Sequence, residues 1–369
     1  LKGGRSQILA RTARLSGEAS SFYFNGLILE LLESCRDGEE VPAWQERWEN
    51  ETIAEFESDI LEYPQGDRLV PAWGYFPIKH HRFHPGNLIF KLMHQWGAIA
   101  ADLDSSSMVL TRLLKSGSKR ITAEEILTLV EEHMRHRGKY GMNTLAYDNG
   151  VAEGDSGALL WVQEKHNELD AGVNVNVLCL LAAVMTIADE PGCTRAARLS
   201  ATIWDFLGRH IGRGSYAKRP FLMFYSLEAF SFLWHRLAVC LEGMDPAMRA
   251  RFDPEEVCGK LGRHLADLLE KEIQAGAPAF NSFDKLLSLP VLIRHASPSA
   301  KPWLSAASLR AMVEEVSSQP YEFGKFVYPF TFLYGNQALG LCAALNALRE
   351  LDRHCALADP KERTGMRSP

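Results

Sequence analysis

The chain is 369 residues long, with 46% hydrophobic and 23% charged residues and a formal net charge of −6. This is the balance of a globular protein with a large core, and without a block of like charges there is no electrostatic case for nucleic acid as a partner. No run of 18 apolar residues suggests a transmembrane span, peripheral membrane contact stays open, and the seven cysteines (Cys35, Cys179, Cys193, Cys240, Cys258, Cys342 and Cys355), odd in number and without C-x-x-C spacing, point to reduced thiols in the cytoplasm.

Helical periodicity then dominates in chain order. Helices are predicted over about 17–35 and 44–62, followed by an aromatic stretch over about 64–85. A buried helix follows over 104–115. Thr122 and Glu125 have capping-box spacing and open an amphipathic helix over 122–137, with Ile126, Val130 and Met134 on its apolar side. A long loop with five glycines runs over 138–169. Val173 to Ile187 reads VNVNVLCLLAAVMTI, apolar on nearly every side, and predicts a helix over 171–187 that is buried all round. An amphipathic helix is expected over 195–210 and a buried one over 222–241. Asp253, Pro254 and Glu256 read as cap, first turn and capping box of a helix over 254–273. Helices over 282–293, 303–317 and 335–350 complete the set. The segment 318–334, SQPYEFGKFVYPFTFLY, is aromatic and strand-like. Residues 1–355 read as a single domain and 356–369 as a disordered tail.

Buried and half-buried helices alternate along this series. That pattern fits an all-α, double-layered ring, an (α/α)6 toroid with short strand-containing loops over a pocket; an open solenoid is the alternative. In a ring the inner helices run parallel, so their N-termini share one end with the long loops 138–169 and 318–334.

Polar groups gather at those helix starts. One start reads Asp102-Leu103-Asp104-Ser105-Ser106-Ser107-Met108. Taken alone, Asp104 before a run of serines reads as an ordinary N-cap. Another reads Asp170-Ala171-Gly172-Val173-Asn174-Val175-Asn176. Asn174 and Asn176 do not share a face, and each buried amide needs partners, either loop backbone or a polar group of a substrate. Tyr225 and Glu228 lie three apart, on one face. Tyr334 and Asn336 stand at the last inner-helix start. Aromatic residues nearby, including Tyr75, Phe76, Phe224, Phe326 and Tyr328, suit a cationic or apolar ligand. His80, His81, His84 and His94 form no H-E-x-x-H motif, and no phosphate-binding loop is present, so neither a metal nor another cofactor is expected.

The Asp102 start resembles the acid motif of the class II terpenoid cyclases, the squalene-hopene cyclase type, which reads Asp-x-Asp-Asp-Thr-Ala at the start of an inner helix. Asp102 falls on the first Asp, Asp104 on the proton donor, Ser105 on the next Asp and Ser106 on the Thr. The Asp170 to Asn176 and Tyr334 to Gly340 starts are also similar to helix starts in that superfamily. As a fold pattern the resemblance covers about 64–350, long enough for one ring. It implies protonation-initiated cyclisation or isomerisation of an isoprenoid-bearing substrate. Asp104 would be the acid, Asp102 its partner, and Asn174, Asn176, Asp170, Tyr225, Glu228, Tyr75, Tyr328, Tyr334 and Asn336 the substrate-binding residues. Ser105 removes the neighbouring anion that would help hold a proton on Asp104. Two other readings compete. One is a carbohydrate-active α/α enzyme pairing Asp104 with Asp170 or Glu228. The other is a non-catalytic isoprenoid-binding accessory protein.

Overall fold

Side-chain caps fix most of the helix starts in the computed structural model of this chain, which describes residues 5–10, 15–34, 40–65, 68–74, 101–135, 151–163, 167–213, 225–275, 281–318, 322–327, 331–335 and 337–357. Strands β1 (Arg5–Ala10) and β2 (Leu15–Ser20) precede helices α1 (Phe22–Ser34) and α2 (Ala43–Ser58) and the hairpin of β3 (Leu61–Gln65) and β4 (Arg68–Ala72). Then come α3 (Leu103–Lys115), α4 (Ala123–Glu132), α5 (Ala171–Met185), α6 (Glu190–Gly212), α7 (Leu227–Glu242) and α8 (Pro246–Phe252). The chain continues through α9 (Val257–Gln274), α10 (Ser282–Arg294), a 3-10 helix (Pro298–Trp303), α11 (Ala306–Ser318), β5 (Glu322–Val327), β6 (Thr331–Gly335) and α12 (Gln337–Leu357). The protein is mostly helical, as its periodicity predicts.

The Thr122–Glu125 capping box forms as expected: the Glu125 N–H donates to Thr122 Oγ1 at 3.2 Å and the Thr122 N–H to Glu125 Oε2 at 2.8 Å. The expected Asp253 start needs a correction. Glu256 sits in left-handed backbone (φ 52°), so the helix begins at Val257, three residues later than the motif suggests. Asp253 still supplies the acceptors, taking the N–H groups of Val257 at 2.6 Å and Cys258 at 3.1 Å.

Six apolar helices are chain-packed neighbours: α1 lies against α3, α3 against α5, α5 against α7, α7 against α10, α10 against α12, and α12 against α1. Every residue of α5 is buried, as an apolar helix with neighbours on all sides requires. The amphipathic helices cover this set, with α2 on α1 and α3, α4 and α6 on α5, α9 on α7 and α10, and α11 on α10 and α12. Tryptophans bind the covering helices to the rest through their indole N–H groups: Trp204 donates to Phe252 O at 2.9 Å and Trp234 to Cys258 O at 3.2 Å.

Strands are more numerous than the sequence reading allowed. The stretch at 318–334 holds the β5–β6 hairpin, which ends at Gly335, whereas the β3–β4 hairpin begins at Leu61, within the helix expected over 44–62, and runs into the stretch at 64–85. The N-terminal pair β1–β2 was not anticipated, and residues 17–20, expected to be helical, belong to β2. The larger sheet has the order β2-β1-β6-β5, with Ile8 opposite Tyr334. The described part of the glycine-rich loop, 151–163, is held by a short ladder: Leu103 N–H donates to Leu160 O at 2.7 Å, Leu159 N–H to His133 O at 2.9 Å and Leu160 N–H to Glu168 O at 2.9 Å. Among the described residues no helix is long and apolar enough to cross a membrane.

Candidate active site

Two aspartates stand at the start of α3, and backbone geometry gives them different work. Asp102 is extended (φ −129°, ψ 151°), the conformation of an N-cap. Its carboxylate accepts the Ser105 N–H at 2.5 Å and the Ser105 hydroxyl at 3.1 Å. Asp102 is therefore the cap, and the expectation that Asp104 alone would be one is corrected. Asp104 lies inside the first turn, where its side chain is free to leave the helix.

Two side chains meet that carboxyl. The Asn176 amide on α5 donates to Asp104 Oδ1 at 2.5 Å, and the Tyr225 hydroxyl, just before α7, donates to Asp104 Oδ2. Which way the Asn176 amide faces is set by Arg236 on α7, whose Nη1 donates to Asn176 Oδ1 at 2.6 Å. Arg236 in turn donates from Nε to Glu30 Oε1 on α1 at 3.1 Å. A continuous path thus runs Glu30–Arg236–Asn176–Asp104–Tyr225, with both ends of the chain of donors buried. Tyr23 of α1 adds its ring beside that of Tyr225, centroids 6.3 Å apart. Gly172 makes the Tyr225 position available. A Cβ there would stand 2.2 Å from Tyr225 Cδ2, so only glycine lets the phenol ring lie over the first turn of α5.

Burial sets the protonation of the carboxyls. It pushes Asp104 up to about 6, against the pull of the Tyr225 and Asn176 donors and the Arg236 charge. Burial, followed by the Asp104 charge, raises Asp102 to about 8 despite its Ser105 donors. Asp170 rises to about 8 for the same first cause, and Glu168 to about 7. Among the described residues Asp170 Oδ2 and Glu168 Oε2 have no hydrogen-bond partner, as fits protonated or poorly solvated carboxyls.

The remaining expected site residues divide clearly. Asp170 caps α5 through the Val173 N–H at 3.0 Å. Asn174 clamps the loop before α5: its Oδ1 accepts the Ala158 N–H at 2.8 Å, and its Nδ2 donates to Ala158 O at 2.9 Å and Asp170 O at 2.7 Å. Asn174 was expected to bind substrate or loop backbone; its amide is committed to the backbone of Ala158 and Asp170. Asp102, expected as the partner of the acid, is committed to its cap in the same way. Glu228, half-buried on the first turn of α7, shares none of the bonds described around Asp104. Tyr334 lies in β6, opposite Ile8. Tyr75, Tyr328 and Asn336 lie outside the described residues, as do Phe76, Phe224 and the four clustered histidines. Sequence reasoning missed Tyr23, Glu30 and Arg236. The signal for the last two was present: Glu30 and Arg236 are each flanked by apolar residues on one helix face and need each other or another partner when buried.

Among the described residues no group of three or more His, Cys, Asp or Glu side chains is arranged to hold a metal ion. What the arrangement can do is give and take one proton. Burial raises the Asp104 pKa to about 6, and the anion left after proton loss already has two donors and a nearby guanidinium. No protein-family model and no curated protein matches the chain.

Proposed function

We propose that this chain is a terpenoid cyclase-like enzyme, a cytoplasmic single-domain (α/α)6 toroid in which Asp104 protonates an isoprenoid-bearing substrate. The carrying observation is that Asp104, not needed as a cap, is held by Asn176 and Tyr225 with Arg236 behind them. The circuit of neighbours α1–α3–α5–α7–α10–α12–α1 supports the ring, and the meeting of Tyr23, Asp104, Asn176 and Tyr225 supports helix starts gathered at one end. The free thiols of Cys179, Cys193, Cys240, Cys258 and Cys342 support a reducing compartment.

Protonating an alkene requires an undissociated acid whose conjugate base is stabilised. Burial, which raises the Asp104 pKa to about 6, favours the first condition, and the donors to Asp104 supply the second. In the proposed step the Asp104 O–H bond breaks and its proton adds to the less substituted alkene carbon. The alkene's π electrons form the new C–H bond, leaving a tertiary carbocation and an Asp104 carboxylate. Tyr225 and Asn176 then stabilise the carboxylate. The faces of the Tyr23 and Tyr225 rings suit the cation. A base must remove a proton from the rearranged cation to end the reaction, and the Asp104 carboxylate is suited to take it.

The paired-carboxylate reading keeps one observation in its favour. Asp170 has a buried, unpartnered Oδ2 and feels the Asp104 charge. One experiment separates the two. Purified protein is offered linear prenylated substrates and, in parallel, oligosaccharides and polyuronides, and products are followed by mass spectrometry. The cyclase reading expects an isomeric product from a prenylated substrate, lost in Asp104→Asn. Full turnover by Asp104→Asn, or cleavage of a glycan that needs both Asp104 and Asp170, would remove it.

A further inference from the structure

Cys179 on α5 and Cys240 on α7 lie one turn beyond the Asn176–Arg236 bond. Asn176 and Cys179 are three residues apart and Arg236 and Cys240 four apart, so each pair shares a helix face. Because Asn176 meets Arg236 at 2.6 Å, the next turn of two packed helices brings the thiols together. Each thiol lies close enough to the other to shift its titration.

The two sulfurs are not equivalent. Cys179 is buried, and burial holds its proton on well above the ordinary thiol range. Cys240 is half-buried. The adjacent Cys179 thiol, then Lys115 and Arg236, lower its pKa, opposed by burial and by Glu30. Lys115 is itself partly accessible and pairs with Glu33 at 3.1 Å. Cys240 is therefore the accessible, more readily ionised thiol, and Cys179 the sheltered one behind it, the division of an attacking and a resolving cysteine.

We infer that Cys179 and Cys240 form a thiol–disulfide switch that reacts with low-molecular-weight disulfides. Cys240 loses its proton to water and its thiolate attacks one sulfur of the small disulfide. A mixed disulfide forms and one small thiolate leaves. Cys179 then attacks the Cys240 sulfur, and its proton passes to the second departing thiolate. Two protein thiols are oxidised, and one small disulfide is reduced to two thiols. The bond requires the two Cα atoms to lie within about 7 Å of each other, so it draws α5 and α7 together at the turn next to Asn176 and Arg236. The link to Asp104 rests on the acid reading above; the cross-link itself does not.

The test uses the full chain with oxidised glutathione, followed by alkylation, digestion without reduction and peptide mass spectrometry. The expected result is a Cys179–Cys240 cross-linked peptide that dithiothreitol reverses. Cys179→Ser should leave glutathione on Cys240, and Cys240→Ser should give neither product. Since Cys179 is buried and its variant can be unstable, the wild type carries a second measurement, in which Cys240 should alkylate faster than Cys193, Cys258 and Cys342. Glutathione that stays on wild-type Cys240 without a cross-link, or a Cys240 no faster than the other three, overturns the proposal. In the cross-linked chain Asp104 should titrate at a different pH. A cross-link that leaves the Asp104 titration unmoved overturns the coupling, whereas inactivity towards prenylated substrates leaves the cross-link standing.

Discussion

Replacing Asn176 by leucine tests the bond path at its middle. Leucine has the same branched heavy-atom skeleton as asparagine, so the change removes hydrogen bonds without opening a cavity. Three bonds go, two of them with a charged group at one end: Arg236 to Oδ1 at 2.6 Å, Nδ2 to Asp104 at 2.5 Å, and Nδ2 to the Tyr23 hydroxyl at 3.5 Å. Arg236 Nη2 has no partner among the described residues, so the buried guanidinium would keep only its Nε bond to Glu30. With each charge-assisted bond worth about 1.5–3 kcal/mol, the loss should be about 3–5 kcal/mol. Asp104, without its Asn176 donor, should hold its proton above the present value of about 6. Denaturant unfolding of the wild type, Asn176→Leu, Asp104→Asn and the double variant gives the coupling directly. The Asp104 titration can be followed through its side-chain carbonyl carbon by NMR. A loss below about 1 kcal/mol, together with an unmoved Asp104 titration, would refute the path.

Other outcomes follow from the same geometry. Asp102, Asp104, Glu168 and Asp170 all keep protons in the folded chain that the unfolded chain has already released. Stability should therefore fall as pH rises from the ordinary carboxylate range to about 8, and Asp170→Asn should flatten that slope in denaturant unfolding across pH. Gly172→Ala should displace the Tyr225 ring and cost about 1–3 kcal/mol, read as a lowered unfolding midpoint; an unchanged midpoint would show that the ring is not pressed on α5. Asn174→Ala should cost a similar about 1–3 kcal/mol and raise amide exchange at Ala158, whose N–H and carbonyl it clamps. On a substrate found by screening, Tyr225→Phe should lower turnover while retaining the Tyr23–Tyr225 ring contact, since only the donor to Asp104 is removed.

Much of this was legible in the sequence because single residues carried it. The run from Val173 to Ile187 predicts a helix buried on all sides; the helix is buried throughout but ends at Met185, leaving Thr186 and Ile187 exposed. Thr122 with Glu125 marked its helix start correctly. Asp253 marked the acceptor but not the boundary, since a left-handed Glu256 has no sequence signature outside glycine and asparagine. The two aspartates of α3 were assigned by motif, yet which one caps depends on the φ of Asp102, a single backbone angle. Asn174 and Asn176 look alike in sequence. One faces a loop and the other an arginine 60 residues away, and only the packing of α5 against α7 separates them. Strands β1 and β2 were missed because β1 joins the sheet through β6, far along the chain, and short strands of mixed polarity carry little alternation of their own.

That distant pairing has a consequence for how the molecule comes into being. Strand β1 finds β6 only when the C-terminal hairpin exists, and Glu30 finds Arg236 across 206 residues. Contacts of such separation form late, after local helices, because closing long loops costs entropy before any bond repays it. On the ribosome, α1 emerges with a buried-type glutamate and an aromatic face that has no cover. Until α7 arrives, Glu30 must stay hydrated at the surface of an unfinished chain. The polar path around Asp104 is thus a closing event of folding, and the same residues that order the site should mark the slowest phase of refolding.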